Sequence, residues 1–250
     1  MRILITGASQ GLGEVCAKAL SQDGITLVLM ARNVASLHET KNGCLNPEQH
    51  AIVPADLLEL STIEPAMKLA LAHADGLDAV IHCAGGGLGM HEPLLTGDAL
   101  GKLLTLNLLA CAEINRLAAP GMKKRGKGYL VHVGSVAAAE AIASVGYGTS
   151  KAALGAYVRT LGNEMARHGV VVTGIHPGGF HAPGNAMDRL RDNRPDVYEE
   201  FLANRLPRQF MGNAAELMPL IKLLISDGAS MMGGSMIPID AGEGKAFSTS

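Results

Sequence analysis

The sequence contains no tryptophan, and its four tyrosines and four phenylalanines hold aromatic side chains to 3% of 250 residues. A chain so poor in rings offers little stacking surface to nucleobases. It also lacks a charge excess, because 21 basic and 23 acidic side chains leave a net charge of −2. Neither nucleic acid nor an anionic membrane surface finds the basic footprint it needs, so the partner to expect is a small molecule. No uncharged apolar run approaches the roughly 20 residues of a membrane span; runs such as Ile25 to Ala31 stop after the length of one strand. Met1-Arg2 leads straight into an apolar strand and a glycine turn with no secretory h-region, and the expectation is a cytoplasmic protein. Cys16, Cys44, Cys83 and Cys111 show neither CxxC pairing nor the density of a disulfide scaffold, so they are expected to be reduced core residues. Among the nine histidines there is no HExxH, and His176 and His181 flank a Pro-Gly-Gly turn, so no catalytic metal is expected.

What the chain has in quantity is apolar residues, at 48%, and glycine, at 31 residues, a composition that buries a core and excludes disorder. Short apolar runs bounded by turns alternate with stretches of helical period, the pattern of a parallel sheet covered by helices. Strands are expected at Arg2 to Thr6, Thr26 to Met30, His50 to Pro54, Asp78 to Cys83, Tyr129 to Val133, Val170 to Ile175 and Ser235 to Ile239. Each is nearly continuous in apolar character, as strands buried on both faces are. Helices are expected at Glu14 to Gln22, Thr62 to Ala74, Asp98 to Leu117, Tyr147 to Arg167 and Ala214 to Ile225, with Ser61 and Glu64 forming a capping box. No repeat or linker interrupts the series, which predicts one doubly wound α/β domain over residues 1–250. The exception is an irregular insertion over 180–210, rich in Arg, Asp, Asn and Pro, of the kind that forms an active-site lid.

Directly after the first strand stands Thr6-Gly7-Ala8-Ser9-Gln10-Gly11-Leu12-Gly13, followed by a helix. Glycines allow a tight turn and a close approach of backbone N–H groups to a pyrophosphate, which the positive helix N-terminus also attracts. A bare strand-to-helix turn would have the same glycines. The segment Gly7 to Gly11 also satisfies G-x-S-x-G, the nucleophile elbow of α/β-hydrolases, but too little chain precedes Ser9 to supply the oxyanion-hole loop. At the end of the second strand, Arg32 occupies the place where an acidic residue would bind the ribose hydroxyls of NAD. A guanidinium there suits a 2′-phosphate, which favours NADP over NAD; a solvated arginine is the alternative.

Tyr147-Gly148-Thr149-Ser150-Lys151 puts a phenol and an ammonium one helical turn apart. A positive charge beside a phenol favours the phenolate and fits the group for acid–base work. Chance alone gives such a pair about 0.16 times in a chain of this composition, so it gains weight from Ser135, at the carboxyl end of the fifth strand, where open α/β sheets bind ligands.

With these elements together, the chain resembles the short-chain dehydrogenase/reductase family from Arg2 to Gly242. The Thr6 to Gly13 turn matches the family's TGxxxGxG, Asp56-Leu57 its acidic position near adenine, Ala84-Gly85 the end of its NNAG element, Pro177-Gly178 the turn after the sixth strand, and Asp240-Ala241-Gly242 its final DGG. Asn107, Ser135, Tyr147 and Lys151 match its catalytic tetrad. The resemblance implies that Tyr147 donates a proton to the substrate oxygen as NADPH delivers hydride, that Ser135 hydrogen-bonds that oxygen, that Lys151 holds the nicotinamide ribose and eases proton release from Tyr147, and that Asn107 supports a water leading to Lys151. It implies a homodimer or homotetramer.

The chain departs from the family at His82-Cys83, which replace the two asparagines of NNAG; at Ala182, where a threonine usually contacts the nicotinamide amide; and at Gln10, where many NADP enzymes have Lys or Arg. A 3-oxoacyl thioester is the default substrate from the family, and Lys123-Lys124-Arg125 resembles the basic surface that 3-oxoacyl-carrier-protein reductases offer an acidic carrier. A sugar or nucleotide-sugar intermediate is the alternative, and a non-catalytic dinucleotide-binding protein a third reading. Five arginines between Asp188 and Arg208 invite an anionic substrate, but Asp188, Asp192, Asp196, Glu199 and Glu200 balance them as on a solvated lid. Met231, Met232 and Met236 are expected to line a subunit contact or fill core.

Overall fold

The apolar runs form seven parallel strands: β1 (Arg2–Thr6), β2 (Thr26–Ala31), β3 (Ala51–Pro54), β4 (Ala79–His82), β5 (Gly128–Val133), β6 (Val170–Pro177) and, at the far edge, Met236–Ile239. The structure is a computed structural model that describes residues 1–74 and 76–245. Side chains alternate between two cores, as the pleat requires: Ile3, Ile5, Leu27, Leu29 and Ile81 face one, Leu4, Val28, Met30 and Val80 the other. Helices α1 (Gly11–Ser21) and α2 (Val34–Asn42) cover the first face, α3 (Ile63–His73) the second.

Chain order and sheet order diverge at one place that matters for function. The sheet runs β3-β2-β1-β4-β5-β6 and then the edge strand, so β1 and β4 are neighbours although β2 and β3 come between them in sequence. Their register pairs Thr6 with His82. The crevice at the carboxyl ends of these two strands is the switch point where such sheets bind ligands.

Helical expectations need correction at several places. The single helix expected over Asp98 to Leu117 is α4 (Gly97–Leu104), a π-helical turn at Thr105–Leu109, and α5 (Ala110–Arg125), which continues through Pro120. The capping box does not form at Ser61 and Glu64, because a 3-10 turn at Leu60–Thr62 leads into α3 with no side-chain cap; a box does form at Asn213 and Glu216. Helix α6 (Val145–Ala166) begins slightly ahead of Tyr147.

The insertion is ordered, against the expectation of irregular chain. A two-residue strand, β7 (Phe180–His181), precedes α7 (Ala186–Asn193) and α8 (Pro195–Arg205), and pairs with β8 (Gly212–Asn213). Tyr198, Leu206 and Met211 form a small core of their own. His181 ties it together, bonding Asp188 through Nδ1 and the Tyr198 hydroxyl through Nε2 at 2.7 Å. After β8, a 3-10 turn and α9 (Met218–Leu224) replace the helix expected from Ala214, and the edge strand Met236–Ile239 is β9. Of the three methionines beside it, Met231 is 95% exposed while Met232 and Met236 pack against the cores. Among the described residues no helix is long and apolar enough to cross a membrane.

Candidate active site

The glycine turn is built as its sequence requires. Gly7 has φ +66°, and a Cβ there would lie 2.8 Å from the backbone of Ala84; a side chain at Gly13 would run into the Gly7 carbonyl. Thr6 Oγ1 accepts the Ala84 amide at 3.2 Å, locking this turn to the one after β4. Gln10, at the N-cap of α1, gives no side-chain cap, so the helix start is open to a polar ligand except that the Gly11 N–H donates to the Pro183 carbonyl at 2.8 Å. Ser9 and Leu12 lie in the same turn, Leu12 buried. This cradle fits a dinucleotide pyrophosphate.

Around the crevice, Arg32 at the end of β2 has a side chain 65% exposed and stands 3.9 Å from Asp56, beyond β3. Asp56 accepts the Leu58 amide at 3.0 Å, and Leu57 is buried beneath. The guanidinium is therefore presented to solvent beside the crevice, with Asp56 as a loose ion-pair partner.

Lys151 is 3% exposed, and its ammonium donates to the Val133 carbonyl at 2.8 Å and lies 5.7 Å from the centre of the Tyr147 ring. Asn107, on the π turn, is buried, donates to the Gly86 and Leu103 carbonyls and accepts the Gly86 amide. A Cβ on Gly85 would lie 2.8 Å from Asn107 Oδ1 and 3.0 Å from Lys151 Nζ, so both polar ends reach the same point beside the β4 turn. Ser135 closes β5; its Oγ accepts the Ala137 amide at 3.1 Å. Pro177 is buried at the end of β6, and Gly178 follows against β9.

Three features here were not read from sequence. The backbone amide of Ser135 donates to His176 Nδ1 at 3.0 Å, and burial, with the Lys151 charge, holds His176 below the usual imidazole range as the acceptor that bond needs. His82, where the family has asparagine, bonds Asn115 Oδ1 at 2.8 Å, and the Asn115 amide donates to His132 Nε2 at 3.0 Å and to the Tyr157 hydroxyl. The two imidazoles stack with centroids 4.6 Å apart. Cys83, in the other asparagine position, lies with its sulfur 4.0 Å from that of Cys16. The third feature is Glu243, buried against Gly179.

The histidine pair makes stability pH-dependent. Burial pushes His82 down to about 4, and burial together with the His82 and Lys151 charges holds His132 well below the ordinary range. Both are neutral in the fold, whereas the unfolded chain takes up these protons near pH 6.5. Stability present above that pH is thus lost as pH falls toward the folded values, His82 contributing about 2 kcal/mol of loss by pH 5. Denaturant midpoints at pH 7 and pH 5 check this, and His82→Asn should shrink the difference; a His82→Asn variant with the parent's full difference would remove His82 from the pH dependence.

A parallel doubly wound sheet with a glycine cradle at its switch point, and a tyrosine and lysine across the crevice, defines a dinucleotide-dependent oxidoreductase. Residues 1–193 match the short chain dehydrogenase family, and the chain belongs to it, a family that binds nicotinamide dinucleotides. An uncharacterized oxidoreductase of Staphylococcus epidermidis is 32% identical over 181 residues, covering 72% of this chain and 78% of its own. One from Staphylococcus aureus is 30% identical, covering 80% and 88%. Among solved structures, levodione reductase superposes with a TM-score of 0.89 at 26% identity over 98% of both chains. A 3-oxoacyl (acyl-carrier-protein) reductase from Agrobacterium tumefaciens with NADP bound does so at 0.88 and 22% identity over 96% and 93%, a likeness of fold.

Proposed function

We propose that the protein is an NADP(H)-dependent oxidoreductase that interconverts a ketone and a secondary alcohol, with a 3-oxoacyl thioester as substrate and a homodimer or homotetramer as the working form. The observation that carries this is the convergence of buried Lys151 and Asn107 at Gly85, with the Tyr147 ring alongside. Bound NADPH supplies the hydride. Tyr147 donates its hydroxyl proton to the substrate oxygen, and Ser135 hydrogen-bonds that oxygen while His176 fixes the Ser135 backbone. Lys151, its ammonium 5.7 Å from the centre of the Tyr147 ring, holds the nicotinamide ribose. Asn107 orders the Gly86 peptide and a water reaching Lys151. Gly7, Ser9, Gly11, Leu12 and Gly13 hold the pyrophosphate, Asp56, Leu57 and Ala84 border the adenine side, and Arg32 takes the 2′-phosphate.

An acyl substrate fits the charges better than a nucleotide sugar. Arg191 pairs with Asp188 and Asp192, Arg205 with Glu140 and Glu243, Arg208 with Glu216, and Arg189 donates to the Gly184 carbonyl. Those four arginines of the insertion are engaged by groups of the protein itself, while Leu88 and Leu94, on the loop after Gly85, and Val145, at the start of α6 beside Tyr147, are exposed. The test is oxidation of NADPH and NADH with a short 3-oxoacyl thioester, alongside fluorescence titration of both nucleotides. Turnover with NADPH is expected. Tight NADPH binding without turnover would transfer the substrate assignment to a sugar, and binding of neither nucleotide would overturn the cofactor assignment.

A further inference from the structure

The turn after β9 contains a residue held in a disfavoured backbone conformation. Ala241 has φ +53°, in the left-handed region that disfavours any side chain, and Glu243 beyond it is only 3% exposed. Asp240 folds the turn by accepting the Gly242 and Gly244 amides at 3.0 Å each. The result drives the Glu243 carboxylate inward, where Oε2 accepts the Gly179 amide at 2.6 Å. Gly178 is the residue that lets it in, since a Cβ there would lie 2.6 Å from that oxygen.

The other carboxylate oxygen faces Arg205, the last residue of α8, at 3.6 Å. The same guanidinium nitrogen stands 3.9 Å from Glu140, on the loop between Ser135 and Tyr147, whose side chain is 12% exposed. This nitrogen is buried and has no hydrogen-bond partner among the described residues, so its attachment to the two carboxylates is ionic. Burial raises the Glu243 carboxyl, and the Gly179 amide and Arg205 pull it back toward ionisation. Four segments thus meet around the Arg205–Glu243 pair: the serine–tyrosine loop and the turn after β9 face the arginine at the end of α8, and the turn after β6 is held by Glu243. A buried carboxylate without its cation is strongly unfavourable, so the four hold together or loosen together.

We propose that Arg205 and Glu243 are positioning residues, a clasp that fixes the Gly178–Gly179 peptide and fastens the α7–α8 pair over the site. This rests on the oxidoreductase reading for its kinetic consequences but not for its structural ones. Glu243 sets the peptide next to Pro177, and Arg205 couples the helices to the loop carrying Ser135 and Tyr147. Neither touches the reacting atoms.

Hydrogen–deuterium exchange on the full chain separates the two roles. Glu243→Gln keeps an oxygen for the Gly179 amide and removes the charge, so exchange should quicken in residues 186–205 while 177–182 stays protected. Glu243→Ala should quicken both. Arg205→Met should behave as Glu243→Gln, and Arg205→Lys should restore most of the protection. In turnover with a 3-oxoacyl thioester and NADPH, Arg205→Met should raise KM for the carbonyl compound about tenfold with kcat changed less than about twofold, and the lysine variant should recover it. Unchanged exchange in 186–205 for both Arg205→Met and Glu243→Gln would overturn the clasp. Should the parent protein reduce no carbonyl compound, the functional reading falls while the exchange data still decide the clasp.

Discussion

Tyr147→Phe is expected to lower kcat by about a thousandfold, within the range that a general acid supplies, while NADPH affinity changes by less than about twofold. The substitution removes one oxygen and little else. The ring keeps its place beside Lys151, the Tyr147 carbonyl still accepts the Ser150 hydroxyl at 2.8 Å, and α6 loses no backbone bond. A structural role for the hydroxyl would instead appear as a lower melting temperature, so thermal denaturation belongs beside the kinetics. Activity retained within about tenfold of the parent would mean that another group donates the proton, and the assignment of Tyr147 would fall.

The second large effect is a reversal of coenzyme preference. Arg32→Asp should change the ratio of kcat/KM for NADPH over NADH by about a hundredfold toward NADH, the size expected when a charge-assisted hydrogen bond of about 1.5 to 3 kcal/mol is lost and repulsion is added. Arg32 is exposed at the end of β2, and Asp56 is its one ion-pair partner among the described residues. With an aspartate at 32, two carboxylates would border the ribose pocket, repelling a 2′-phosphate and accepting from free ribose hydroxyls. Gln10, the other place where the family often puts a cation, lies against Gly184 and brings no charge. An unchanged ratio would remove Arg32 from phosphate recognition.

The strands and the glycine cradle were legible because their signals are local. An apolar run of strand length between turns has few other uses, and Gly7 and Gly13 are demanded by contacts within the same short segment and its neighbour. The paired Tyr147 and Lys151 were legible because helical spacing alone sets them together. Helix α2 escaped notice because it buries only Leu37 and Thr40, too little for an apolar stripe. The insertion read as irregular because its small core around Tyr198 is assembled from both helices and the following loop, and charged side chains dominate its composition. Its arginines invited an anionic ligand since sequence shows charges but not pairings; Arg205 is answered by Glu140 and Glu243, neither of them nearby in the chain. The exchange of asparagine for His82 was visible, but its partner Asn115 comes from α5, at a separation no local pattern encodes.

The π turn explains the remaining error and alters how one residue is to be studied. Its backbone is wound one residue wider than an α-helix, with the Ala110 amide reaching back to the Thr105 carbonyl, and helical winding runs through it without a break, so α4 and α5 read as one helix. Within that slack the Asn107 side chain donates to the Leu103 carbonyl at 2.9 Å, standing in for a main-chain donor while its oxygen holds the Gly86 amide. Asn107 is therefore a splice in the helix as much as a member of the site. Alanine at this position would confound lost chemistry with a rewound helix, whereas deleting one residue of the turn would close the gap, restore α-helical winding and carry Asn107 around the helix away from Gly86. A comparison of those two variants separates what the amide contributes to the reaction from what it contributes to the shape of the scaffold.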